Sequence, residues 1–254
     1  MTDSNQKAFP FLKENLSRIE DEITAACQRS GRTRSSVSLM AVTKGHSSSA
    51  IQEAASLGLR VFGENRVQEF QRKRAELFGE ESSAMSPAPL HADRQFHLIG
   101  HLQSNKAARA VEIFSAIDTL DSYRLAERLN QAAANMKCRI PVLLEVKLSH
   151  EEAKSGLAPD SAELSELMER LPDLTALELR GLMTVPPYDE DLEAARPYFA
   201  RLRALRDDLS ASYPRLNLAD LSMGMSHDFR VAIEEGSTQV RLGTALFGRR
   251  PRAH

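Results

Sequence analysis

Cysteine is nearly missing from this chain, neither sign of charge prevails, and no apolar run is long; each absence removes a class of protein. Two cysteines, Cys27 and Cys138, among 254 residues make no disulfide framework and show no metal-ligand spacing. A reduced, cytoplasmic protein is therefore expected. The 33 Lys and Arg against 35 Asp and Glu leave a net charge of −2, so no basic excess points to nucleic acid. No uncharged apolar stretch is long enough to span a membrane, and residues 1–7 lack the apolar core of a secretory signal. With 42% hydrophobic residues, the chain can still bury a full core.

What is present is an alternation. An amphipathic opening segment over 8–29 carries Phe11, Leu12, Leu16, Ile19 and Ile23 at helical spacing and stops at Gly31. Short apolar runs over 37–43, 60–63, 96–100, 113–120, 140–146, 177–185, 218–223 and 238–247 read as strands. Between them, 48–57, 66–78, 104–111, 122–136, 160–171, 190–212 and 228–235 have helical character. Strands alternating with helices imply parallel pairing through crossovers, which leaves a barrel or an open doubly wound sheet. Eight strands in this length match a (β/α)8 TIM barrel, and the Gly-x-Gly-x-x-Gly turn that an open dinucleotide-binding sheet would want is missing after the first strand. The expectation is one barrel domain over 1–254 with an additional N-terminal helix. The stretch 79–94, rich in Ser, Ala and Pro without period, is expected to be a mobile loop facing away from the active end.

Lys44 closes the first strand. Alternation puts Met40, Val42 and Lys44 on one face and Leu39, Ala41 and Thr43 on the other. An amine among apolar neighbours is a candidate nucleophile toward a carbonyl, because desolvation lowers its pKa and frees the lone pair. A lone lysine would more simply snorkel from the strand end into water. The other end of the chain weighs against that. Strand seven runs into Ser222-Met-Gly-Met-Ser226 and strand eight into Arg241-Leu-Gly-Thr-Ala-Leu-Phe-Gly248. In a barrel these last two loops are the usual phosphate site, and Ser222, Gly224, Ser226, Gly243 and Thr244 are residues that let backbone N–H groups approach an anion. An aldehyde at the lysine and a phosphate at the far loops together describe pyridoxal 5'-phosphate. Arg241 shares a face with Gly243; it either donates to an unprotonated pyridine nitrogen, which weakens the ring as an electron sink, or forms a salt bridge with Glu145 or Asp118. His97 and His101 lack carboxylate or cysteine partners at ligand spacing, so no metal is expected.

Ala41-Val-Thr-Lys44, Phe62-Gly-Glu-Asn65, His97-Leu-Ile-Gly-His-Leu-Gln-Ser-Asn-Lys106, Lys154-Ser-Gly156, Arg180-Gly-Leu-Met-Thr184 and the two late loops closely resemble the pyridoxal phosphate homeostasis proteins, which are related in fold to the N-terminal barrel of alanine racemase. The resemblance runs from about Val37 to Gly248. It implies a Schiff base on Lys44, Arg241 at the ring nitrogen, Asn65 beside the cofactor, and phosphate contacts from Ser222, Met223 and Gly224 on one side and Gly243 and Thr244 on the other. It further implies buffering or delivery of the cofactor, apo-enzymes as recipients, influence on amino-acid and keto-acid balance, and no catalytic residues. The alternative is a pyridoxal phosphate-dependent amino-acid racemase, which needs an acid/base on each face; Tyr188 is the tyrosine nearest to serving. A lysine aldolase would need Lys44 but not Arg241. Three departures from the family pattern stand out: Gly45-His-Ser-Ser after the lysine, Lys147 on strand five, and His227 beside a phosphate loop. Lys154 is a candidate second amine for the aldehyde. A monomer is expected.

Overall fold

A computed structural model describes residues 9–79, 93–149 and 155–249. The chain opens with α1 (Leu12–Arg29), whose Leu12, Ile19, Ile23, Ala26 and Cys27 form one buried stripe. There follow β1 (Ser38–Val42), α2 (Ser48–Ser56), β2 (Val61–Glu64), α3 (Val67–Phe78), β3 (Gln95–Leu98), α4 (Ala107–Ile113), β4 (Ala116–Leu120) and α5 (Tyr123–Asn135). The second half is β5 (Ile140–Glu145), α6 (Ala162–Arg170), β6 (Leu177–Met183), α7 (Arg196–Ser212), β7 (Asp220–Met225), α8 (Phe229–Glu234), β8 (Gln239–Leu242) and α9 (Thr244–Phe247). The hydroxyls of Ser122 and Ser161 start α5 and α6 by accepting from the N–H groups of Leu125 and Leu164.

Every strand pairs in parallel with the next, and β8 pairs with β1, so the sheet closes as an eight-stranded barrel. Met40 sits opposite Val61 on one side and Arg241 on the other. The fold is therefore a TIM barrel with an N-terminal helix, as its alternation leads one to expect. Between barrel and helices lies an apolar shell, including a run of Phe62, Phe96, Phe70 and Phe114 with ring centroids 4.7–5.5 Å apart.

Most boundaries shift by a few residues from the sequence reading, and two stretches read as strand are not strand. Residues 113–115 finish α4 and its turn, so β4 starts at Ala116. Residues 244–247 are a single helical turn rather than strand, because the N–H groups of Leu246 and Phe247 bond back to Gly243 O. With α9 so short, α1 lies where a full helix after β8 would pack. Asn15 Nδ2 donates to Leu246 O at 2.9 Å, Arg29 pairs with Glu234 at 2.7 Å and Arg230 with Glu22 at 2.9 Å. Of the stretch 79–94, residues 80–92 lie outside the described residues, as does Lys154.

Candidate functional site

At the C-terminal ends of the strands a cavity of about 580 Å³ opens. Its wall includes Lys44, Asn65, Arg241, Gly243 and Thr244, which the sequence singled out, together with Met225, Ser226 and His227 after β7. Lys44 Nζ donates to Asn65 Oδ1 at 3.4 Å. Asn65 can take that place because residue 100 is glycine: a Cβ there would stand 2.2 Å from Asn65 O and 2.6 Å from its Cγ.

Arg241 is 4% exposed. Its Nη1 donates to Ser222 O at 2.6 Å and Ser222 Oγ at 2.8 Å, and its Nη2 donates to Thr184 O at 2.8 Å. Three of five N–H groups are thus committed to β6 and β7, and the guanidinium faces the cavity on rigid strands. Burial pulls its pKa down, while the fields of Asp118, Asp228 and Glu145 hold it up. Among the described residues neither Asp118 nor Glu145 makes an ion pair with it; Asp118 is bonded to His97 Nδ1 at 3.0 Å and Glu145 accepts from Ser155 Oγ at 3.1 Å. Burial pushes the Glu145 carboxyl up, with Ser155 opposing and the Asp121 charge adding to the rise.

Ser222, Met223 and Gly224 do not line this cavity. Ser222 is fully buried beneath Arg241 and donates to Gln239 Oε1 at 3.0 Å. Met223 is fully buried. Gly224, at φ +95°, faces α8, where a Cβ would meet that of Ala232 at 2.5 Å. The reason is a register shift between β7 and β8: Ser222 aligns with Gln239 and Met225 with Arg241, three residues against two. The turn that reaches the cavity is one step later. Asp228 Oδ1 accepts from Met225 N at 2.6 Å, and Ser226 Oγ accepts from the N–H groups of Gly243 and Ala245 at 3.2 and 3.1 Å, tying the two late loops together. An acid three residues after a strand end was a readable turn signal for Asp228.

Lys147 and His227 also line the cavity, as does Tyr188, which is 79% exposed with its ring 5.4 Å from that of His227. His97 and His101 are separated: His97 lines a second cavity of about 500 Å³ at the opposite barrel end, while His101 sits at the upper rim bonded to Asp121 at 3.0 Å. Among the described residues no three His, Cys, Asp or Glu gather as a metal site. The donor set fits a phosphorylated aldehyde with a ring nitrogen: an amine, a buried donor-only guanidinium, and a wall of hydroxyl and backbone groups at Ser226, Gly243 and Thr244.

The family model for the alanine racemase N-terminal domain matches residues 15–251. A pyridoxal phosphate homeostasis protein of Aquifex aeolicus is 42% identical over 237 residues, covering 93% of this chain and 97% of that protein. The structure of PipY from Synechococcus elongatus PCC7942 with PLP bound is 38% identical, with a TM-score of 0.76 over 93% of this chain and all of that one. An alanine racemase of Clostridium difficile 630 shares the fold at a TM-score of 0.66 and 14% identity, the match covering 57% of its length. By fold, by motif and by similarity along nearly its whole length, this chain belongs to the pyridoxal phosphate homeostasis protein family.

Proposed function

We propose that the protein binds pyridoxal 5'-phosphate in the upper cavity, covalently at Lys44, and serves cofactor homeostasis by buffering it or handing it to apo-enzymes. The observation that carries this reading is the convergence of Lys44, Asn65, Arg241, Gly243 and Thr244 on one cavity. Bound there, the cofactor supplies an electrophilic aldehyde and an electron-withdrawing pyridine ring. Lys44 Nζ, held beside Asn65, is the amine that would hold the cofactor through its aldehyde. Ser226, Gly243 and Thr244 are the groups for the phosphate, with His227 at the rim. Arg241 has only donors, so it favours an unprotonated ring nitrogen and a weak electron sink. That suits retention over turnover. Ser222 acts behind Arg241 by accepting from it. The protein works as one barrel unit, in the cytoplasm and as a monomer.

The test is the near-visible spectrum of purified protein with pyridoxal 5'-phosphate, followed by borohydride reduction and peptide mapping. A band whose label maps to Lys44 is expected. No band, or label scattered over surface lysines, would overturn the reading. Amino-acid racemisation is the competing activity, and Tyr188 on the cavity wall is the group that would have to serve it. Robust racemisation by the loaded protein, lost in Tyr188→Phe, would replace the carrier reading.

A further inference from the structure

Lys73 lies on α3 outside the barrel wall and is only 5% exposed. Its ammonium has three protons and faces three acceptor groups. They are Thr43 O at 2.8 Å, the Glu64 carboxylate at 2.8 and 2.9 Å, and Glu69 Oε1 at 2.7 Å. The same two carboxylates reach the strand end that carries Lys44. Thr43 Oγ1 donates to Glu64 Oε1 at 2.6 Å, and the Gly45 N–H donates to Glu69 Oε1 at 2.6 Å. The residue before Lys44 is thus gripped at its carbonyl and hydroxyl, and the residue after it at its amide. Glu64 also directly precedes Asn65, the acceptor for Lys44 Nζ.

Stability alone is a poor reason for such a cluster, since apolar side chains of similar volume commonly do as well as a buried ion pair. Burial raises the Glu64 carboxyl pKa against the pull of Lys73 and Thr43. Burial acts the same way on Glu69, but Lys73 and Gly45 outweigh it and hold that carboxyl below its ordinary value. What charged hydrogen bonds add over packing is direction: each fixes one atom of the Thr43–Gly45 backbone in place. A lysine side chain is long and flexible, so the position of its Nζ is only as definite as the backbone beneath it.

We propose that Lys73, acting through Glu64 and Glu69, is a positioning residue that aims Lys44 at the aldehyde carbon. This rests on the reading of Lys44 as the covalent attachment point. Two ligands separate aiming from general support: pyridoxal 5'-phosphate, and pyridoxine 5'-phosphate, which has the same ring and phosphate but an alcohol in place of the aldehyde. In full-length Lys73→Met, affinity for the aldehyde ligand is expected to fall by at least about tenfold, since misplacing a reacting atom by about 1 Å can cost roughly 100-fold. Affinity for the alcohol ligand should stay within about twofold, a change of roughly 0.4 kcal/mol, and borohydride-fixed label on Lys44 should drop. Parallel loss of both ligands, or no change in either, overturns the proposal. Should Lys73→Met fail to fold, Glu69→Ala removes the hold on Gly45 alone at a partly exposed side chain, and the same selective loss is expected there. An equal effect on both ligands in Glu69→Ala, or none, refutes it. If the wild type takes no label at Lys44, the assignment of the attachment point has failed and the proposal falls with it.

Discussion

Arg241 joins the two tasks of the site, because the bonds that hold it also tie β8 to β7 and to the end of β6. Replacing it with Gln takes the guanidinium donor from buried Thr184 O and leaves Ser222 O with the Thr184 N–H in place of two donors. An unpaired buried group costs about 1–3 kcal/mol, so the denaturant midpoint of Arg241→Gln should fall even without cofactor, and pyridoxal phosphate affinity should fall further. Glu145 makes a pH-dependent contribution of opposite kind. Burial raises its folded-state pKa above the ordinary carboxylate value of 4.5, so the folded state binds the proton more tightly than the unfolded chain does. That stability is present below 4.5 and is lost as pH rises through the raised pKa. Glu145→Gln, which keeps an acceptor for Ser155 but cannot ionise, should leave stability unchanged in acid and raise it at neutral pH; urea midpoints between about pH 4 and 8 check this. Lys44, Arg241, Gly243 and Thr244 were legible because alternation and loop position suffice to place them on one barrel end, whereas Asn65 came from the family resemblance alone. Glu64 was legible in principle, since alternation turns it outward, but its partner Lys73 lies on the next helix and only tertiary packing brings them together. Ser222, Met223 and Gly224 were expected as phosphate contacts from the family resemblance, and the register shift between β7 and β8 instead brings Met225 level with Arg241.

The strands and helices were nearly all readable, since strands buried on both faces stand out as short apolar runs and the helices between them keep their 3.6-residue period. What the pattern did not reveal is the service of α1. It reads as an addition before the first strand, yet it packs against α8 and α9 and fills the gap left by the short final helix. Ile23, fully buried on its inner stripe, should therefore behave as barrel core. Ile23→Ala is expected to cost about 2–5 kcal/mol, read from chemical denaturation, and to weaken cofactor binding because α9 begins at Thr244 on the cavity wall. A cost below about 1 kcal/mol would show that α1 only decorates the surface.

The molecule as a whole has a sheet without edges and few large exposed apolar side chains: Phe11, Val185 and Tyr188 among the described residues. Sedimentation equilibrium is accordingly expected to give a mass near 28.2 kDa at micromolar concentration, and a twofold mass would contradict the monomer assignment. The closed ring has a further consequence in time. The lysine proposed to hold the cofactor is at position 44, and Arg241, on the same cavity, comes 197 residues later. At about 5–20 residues per second, synthesis separates them by on the order of ten to forty seconds. Throughout that interval no closed barrel surrounds Lys44, so the cavity that gathers Lys44, Asn65 and Arg241 belongs to the finished protein and not to the chain during its manufacture.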